Sequence, residues 1–89
     1  MKAVVTVTGK DKKGIIAKVS TFLAEKNVNI EDISQTIMGE DFAMIMSVEI
    51  EDVACELATL AKECEEMGKS IGMSIRMQHS DIFNAMHSI

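Results

Sequence analysis

Three features of this 89-residue chain predict a small α+β domain. Apolar residues recur at spacings of three and four in two stretches, and alternate with period two in four others. The two middle alternating stretches are separated only by Gly39-Glu40-Asp41, short enough for a hairpin. Taken in order, the elements read strand, helix, strand, strand, helix, strand. That is a split βαβ, ferredoxin-like sandwich: a four-stranded antiparallel sheet, order 4-1-3-2, with two helices on one face. The domain is expected to span 1–79, and residues 80–89 to form a short amphipathic C-terminal helix.

Ala3 to Thr8 is short and β-branched, which suits a strand with at least one buried face. Gly9-Lys10-Asp11-Lys12-Lys13-Gly14 then turns the chain into the first helix, with Asp11 as its expected N-cap. Ile15, Ile16, Val19, Phe22 and Leu23 form the apolar stripe of that helix, and Asn27 is its expected stop. From Ile30 to Met38 the period returns to two. Ile30 has the wrong parity for Ile33, Gln35 and Ile37, which predicts a bulge near Glu31. Phe42, Met44, Met46, Val48 and Ile50 alternate through the third strand. Glu51 and Asp52 favour a helix start, and Val53, Leu57, Leu60, Ala61, Cys64 and Met67 carry its stripe, with Gly68 and Gly72 bracketing its end. Met73, Ile75 and Met77 mark the fourth strand. In the tail, Ser80 or Asp81 caps a helix whose Ile82, Phe83, Met86 and Ile89 are expected to dock on the domain or on a neighbour.

Bulk composition narrows the function. Hydrophobic content of 47% with no proline excludes disorder. A single domain this small buries about 60–65% of its surface, so an oligomer interface is a natural supplement. With no signal peptide, no span near the roughly 20 apolar residues that cross a bilayer, and two free thiols, a cytoplasmic protein without a membrane role is expected.

The motifs exclude more than they establish. Gly9 and Gly14 have the glycine spacing of a phosphate loop, but Ile15 and Ile16 stand where Lys and Ser/Thr are needed. Net charge of −5 and three Phe as the only aromatics, one of them (Phe42) on an expected strand, argue against nucleic acid. Cys55 and Cys64 lie about 180° apart on one helix and share no metal; Cys64 reads as core and Cys55 as solvent-facing. His79 and His87 read as interfacial or solvated, and the acidic residues as solvated faces, with Asp32 an edge-strand charge that blocks further pairing. No catalytic constellation is present, so neither enzyme activity nor a cofactor or metal is expected. An acylphosphatase-type enzyme would want an arginine in the first turn, where only lysines stand. Met38, Met44, Met46, Met73 and Met77 read first as flexible core filling, and second as an adaptable partner surface.

Val5-Thr6-Val7-Thr8-Gly9-Lys10-Asp11-Lys12-Lys13-Gly14-Ile15-Ile16-Ala17, followed by Asn27-Val28-Asn29-Ile30, resembles the ACT domain, an amino-acid-binding regulatory module, over about residues 1 to 79. The tail from Gln78 to His87 is similar to that of small stand-alone ACT proteins. The resemblance implies a homodimer, paired through strand 1 or helix 1, with an amino acid bound between copies. It places Asp11, Lys13, Gly14 and Ile15 in the turn of one copy, and Asn29 and Ile30 at the start of strand 2 of the other. Lys13 stands where many ligand-binding members carry proline, and Gly9 where many carry a polar residue. A regulated protein partner of unknown identity follows from the same reading; the alternative is a ligand-free protein–protein interaction module.

Overall fold

The computed structural model describes residues 1–50 and 57–87, with side chains to position 85. In chain order it contains β1 (Lys2–Lys10), α1 (Ile15–Glu25), β2 (Val28–Met38), β3 (Asp41–Ile50), α2 (Leu57–Ser70), β4 (Met73–His79) and α3 (Ser80–His87). The sheet runs β2-β3-β1-β4, the expected order read from the other edge, and every pairing is antiparallel.

Period-two patterning decides which side chains meet. Val5 lies between Met46 and Met77, and Val7 between Met44 and Ile75, all on one face of the sheet. Ile15, Val19 and Leu23 of α1 and Leu60 and Cys64 of α2 close over that face, and these residues belong to one buried cluster. Each fully buried side chain of Leu or Met size contributes roughly 1.5–3 kcal/mol of transfer free energy. The register slips between Ile30 and Asp32, where the parity change in the sequence requires a bulge. Asn27 adopts φ 61 just past α1, the left-handed stop expected of it.

Several expectations need correction. Asp11 does not cap α1: the N-cap is Gly14, which makes no side-chain cap bond. Asp11 lies too far back along the turn, because Lys12, Lys13 and Gly14 intervene before the first helical residue. Nor do Ser80 or Asp81 cap α3; the Asp81 N–H donates to His79 Nδ1 at 3.1 Å, so the last residue of β4 serves as cap. Gly68 is buried inside α2, which continues to Ser70. Ile16 is exposed beside the α1 stripe, and Ile82 on α3 is exposed as well. Met44, Met46, Met73 and Met77 are core, but Met38 is 70% exposed. The expected helix start at Glu51 and Asp52, and the expected positions of Val53 and Cys55, lie outside the described residues.

The largest departure is β2. It is an edge strand, and of its eleven residues only Val28 is buried. Ile33 and Ile37 have the parity of the helix-covered face, yet they are 41% and 57% exposed. The first turn of α1 stands across a cavity from Gln35 and Ile37 and does not close over them.

Candidate functional site: the turn between β1 and α1

The turn is built by a change in backbone hand. Gly14 sits at φ 79, a left-handed conformation that glycine adopts without the Cβ penalty, and nothing lies within 4 Å of where its Cβ would be. The reversal starts α1 at Ile15, so the first free N–H groups of the helix open beside Gly14.

Two carbonyls from elsewhere hold the turn in place. The Asp11 N–H donates to the Glu40 carbonyl at 2.8 Å, tying it to the β2–β3 hairpin. The Lys12 ammonium donates to the Ile71 carbonyl at 3.3 Å, tying it to the end of α2. Lys12 lies across the bare α-carbon of Gly72, where an added Cβ would sit 2.6 Å from Nζ.

Of the four lysines nearest the amino terminus, Lys2, Lys10, Lys12 and Lys13, three are committed. Lys2 pairs with Glu31 and Lys10 with Glu40, both at 3.1 Å; the Glu31 carboxylate holds the Lys2 ammonium above its usual range. Lys12 is used by Ile71. The side chains of Asp11 and Lys13 make no hydrogen bond or ion pair among the described residues, and both are exposed. One free carboxylate and one free ammonium thus flank a helix start.

A cavity of about 210 Å³ opens there, lined by Asp11, Lys12, Gly14, Ile15, Ile16, Ala17, Gln35, Ile37 and Phe42. It brings together three of the expected site residues: Asp11, Gly14 and Ile15. Lys13 stands in the same turn but outside the lining. Asn29 and Ile30 are elsewhere: they pair with Glu49 and Val48 near the start of β2. At 3.3 Å per residue, Ile30 is about 23 Å along the strand from Ile37.

Sequence reasoning missed Gln35, Ile37 and Phe42 as cavity residues. Gln35 carried a signal, as the one polar residue sharing the parity of Ile33 and Ile37. Phe42 reaches the cavity from β3 only because the hairpin folds its start back beside Ile37, its partner in register. Other groups have plain structural roles. Burial, reinforced by the Glu63 carboxylate, pushes the Cys64 thiol up to about 11, so it is neutral in the core. Among the described residues no three His, Cys, Asp or Glu side chains gather to hold a metal, and no helix is long and apolar enough to cross a membrane.

A βαββαβ chain with sheet order β2-β3-β1-β4 and a left-handed glycine at its first helix defines a ferredoxin-like domain of the ACT type. A family model of the ACT domain matches residues 2–78. The UPF0237 protein MJ1558 of Methanocaldococcus jannaschii is 51% identical over 88 residues, 99% of this chain and 98% of that protein. The solved structure of an ACT domain protein from Streptococcus pneumoniae superposes with a TM-score of 0.83 at 44% identity, covering 98% of both chains. A formyltetrahydrofolate deformylase from Pseudomonas syringae shares the fold alone, with a TM-score of 0.77 at 23% identity over 88% of this chain and 27% of that one. The chain belongs to the ACT domain family, whose members are typically regulatory ligand-binding modules.

Proposed function

We propose that this chain is a regulatory module that takes an amino acid at an interface between two copies of itself and passes the signal to a protein partner. The observation that carries the reading is the uncommitted pair Asp11 and Lys13 beside the Gly14 helix start. A zwitterion needs complements of both signs close together. The Asp11 carboxylate accepts from an ammonium, while Lys13 and the first N–H groups of α1 favour a carboxylate. The apolar wall of Ile16, Ile37 and Phe42 accommodates a side chain.

A second copy supplies the other half. The outer edge of β2 has no strand beside it among the described residues, and Ile33, Ile37 and Met38 are exposed along it. If two β2 strands pair antiparallel about Ile33, the bulge at Glu31 leaves Asn29 three ladder positions from the centre, so it faces Thr36, next to Ile37. Asn29 of the second copy then arrives beside Ile37, at the mouth of the Asp11 cavity. Occupancy of such a site changes the free energy of pairing, which is the coupling a regulator needs.

The test is thermal unfolding of the full chain against each common amino acid. A ligand at 100 times its dissociation constant adds about 2.7 kcal/mol of stability. Asp11→Ala should abolish that shift while leaving the ligand-free melting temperature unchanged. No shift with any amino acid at millimolar concentration overturns the reading. The exposed Ile37, Met38, Ile45 and Ile82 favour a second reading, a ligand-free module that binds a protein through these side chains. Deleting residues 80–89 separates the two: loss of the partner with amino-acid binding intact supports the second.

A further inference from the structure

We propose that Gln35 selects the ligand by its side chain, and that the class it selects is a small neutral amino acid carrying a hydroxyl or a primary amide. The inference rests on the reading above, that an amino acid occupies the cavity at Asp11, and deepens it by assigning what the far wall recognises.

Register places Gln35. On β2 it shares the parity of Ile33 and Ile37, and its partner on β3 is the buried Met44. It stands two residues beyond Ile37, about 7 Å further from the β2–β3 hairpin at 3.3 Å per residue. Its side chain is exposed and makes no hydrogen bond among the described residues. The amide therefore keeps two donors and an acceptor free beside the cavity.

The other polar groups of the cavity already have tasks. Three of its lining side chains are polar: Asp11, Lys12 and Gln35. Asp11 takes the ligand ammonium, and Lys12 is held by the Ile71 carbonyl. Lys13 and the first N–H groups of α1 take the ligand carboxylate. Gln35 remains, set among Ile16, Ile37 and Phe42 across the cavity from the helix start. A ligand held by both its charged groups at the turn directs its side chain toward that wall.

The chemistry of the wall sets the class. A hydroxyl or a primary amide both donates and accepts, so it matches the Gln35 amide in either orientation. An apolar side chain would displace water from that amide and return no hydrogen bond. An acidic side chain would share the cavity with Asp11, and a basic one would enter beside Lys12 and Lys13. The cavity volume of about 210 Å³ is about seven times that of a water molecule in the liquid, which suits a small ligand. Serine, threonine, asparagine and glutamine make up the class.

Titration calorimetry of the full chain with matched pairs tests it: threonine against valine, and asparagine against leucine. One net hydrogen bond is worth about fivefold in affinity, so the polar member of at least one pair should bind about fivefold tighter or better. Gln35→Met keeps the length of the side chain and removes its hydrogen bonds. It should bring that ratio to within about twofold of one, with valine or leucine bound no more weakly and the ligand-free melting temperature unchanged. Because the ratio is taken within each protein, a general change in affinity cancels. A parent chain that binds both members equally, or prefers the apolar one, overturns the assignment while leaving the amino-acid reading intact. So does a polar preference that survives in Q35M. No binding of any amino acid overturns both.

Discussion

Gly68 tests how tightly α2 is seated on β4. In an exposed helix interior, replacing glycine by alanine stabilises by about 1 kcal/mol, because backbone entropy is no longer lost. Here the helix lies so close to β4 that a Cβ at position 68 would be 2.7 Å from the Met73 carbonyl oxygen, 2.9 Å from Ile75 Cγ1 and 3.2 Å from Ile75 Cβ. The nearest obstacle is backbone, which cannot swing aside as a side chain can. Overpacking of this kind costs about 1–3 kcal/mol. The clash therefore outweighs the propensity gain, and Gly68→Ala should lose about 1 kcal/mol net. For a domain of this size that lowers the melting temperature by about 4–8 °C. Calorimetry of parent and variant measures it directly. A melting temperature that rises by several degrees would refute the reasoning, since α2 would then lift from β4 at no cost. The seat matters for the site, because the carbonyl that holds Lys12 belongs to Ile71 at the end of this helix.

The raised Cys64 pKa has a defined sign. The folded value of about 11 exceeds the ordinary 9.0, so the contribution to stability is complete below about pH 9 and is lost as pH rises through 11. Urea midpoints between those limits should fall more steeply for the parent chain than for Cys64→Ala. Ile37→Lys puts a charge at a position already 57% exposed, so folding should change little. It should nevertheless abolish both pairing along β2, read by sedimentation, and the stabilisation by an amino acid; if both persist, β2 is not the ligand-bearing edge.

Much of the architecture was readable because local chemistry and global fold agree. The alternation through Ala3 to Thr8 and Phe42 to Ile50, and the stripes of the two helices, leave one arrangement that buries all the apolar faces together. Even the bulge before Asp32 was legible, since a parity change in an apolar pattern has no other resolution. The turn residues Asp11 and Gly14 were legible for a similar reason: a polar segment between two periodic runs is confined to one place in the fold.

Tertiary structure alone decided which side chains remain available. All four N-terminal lysines look alike in sequence, but only the positions of Glu31, Glu40 and Ile71 commit Lys2, Lys10 and Lys12 and leave Lys13 free. Ile33 and Ile37 read as core by period, yet they are exposed because β2 is an edge strand and the first turn of α1 leaves a cavity beside its second half. Pattern reports which face a side chain points to; only packing reports whether anything lies above that face. The sequence of this chain carries its strands, helices and turn in local periodicity, whereas the cavity at Asp11 and the bare edges of β2 and β4 exist only once those elements are brought together.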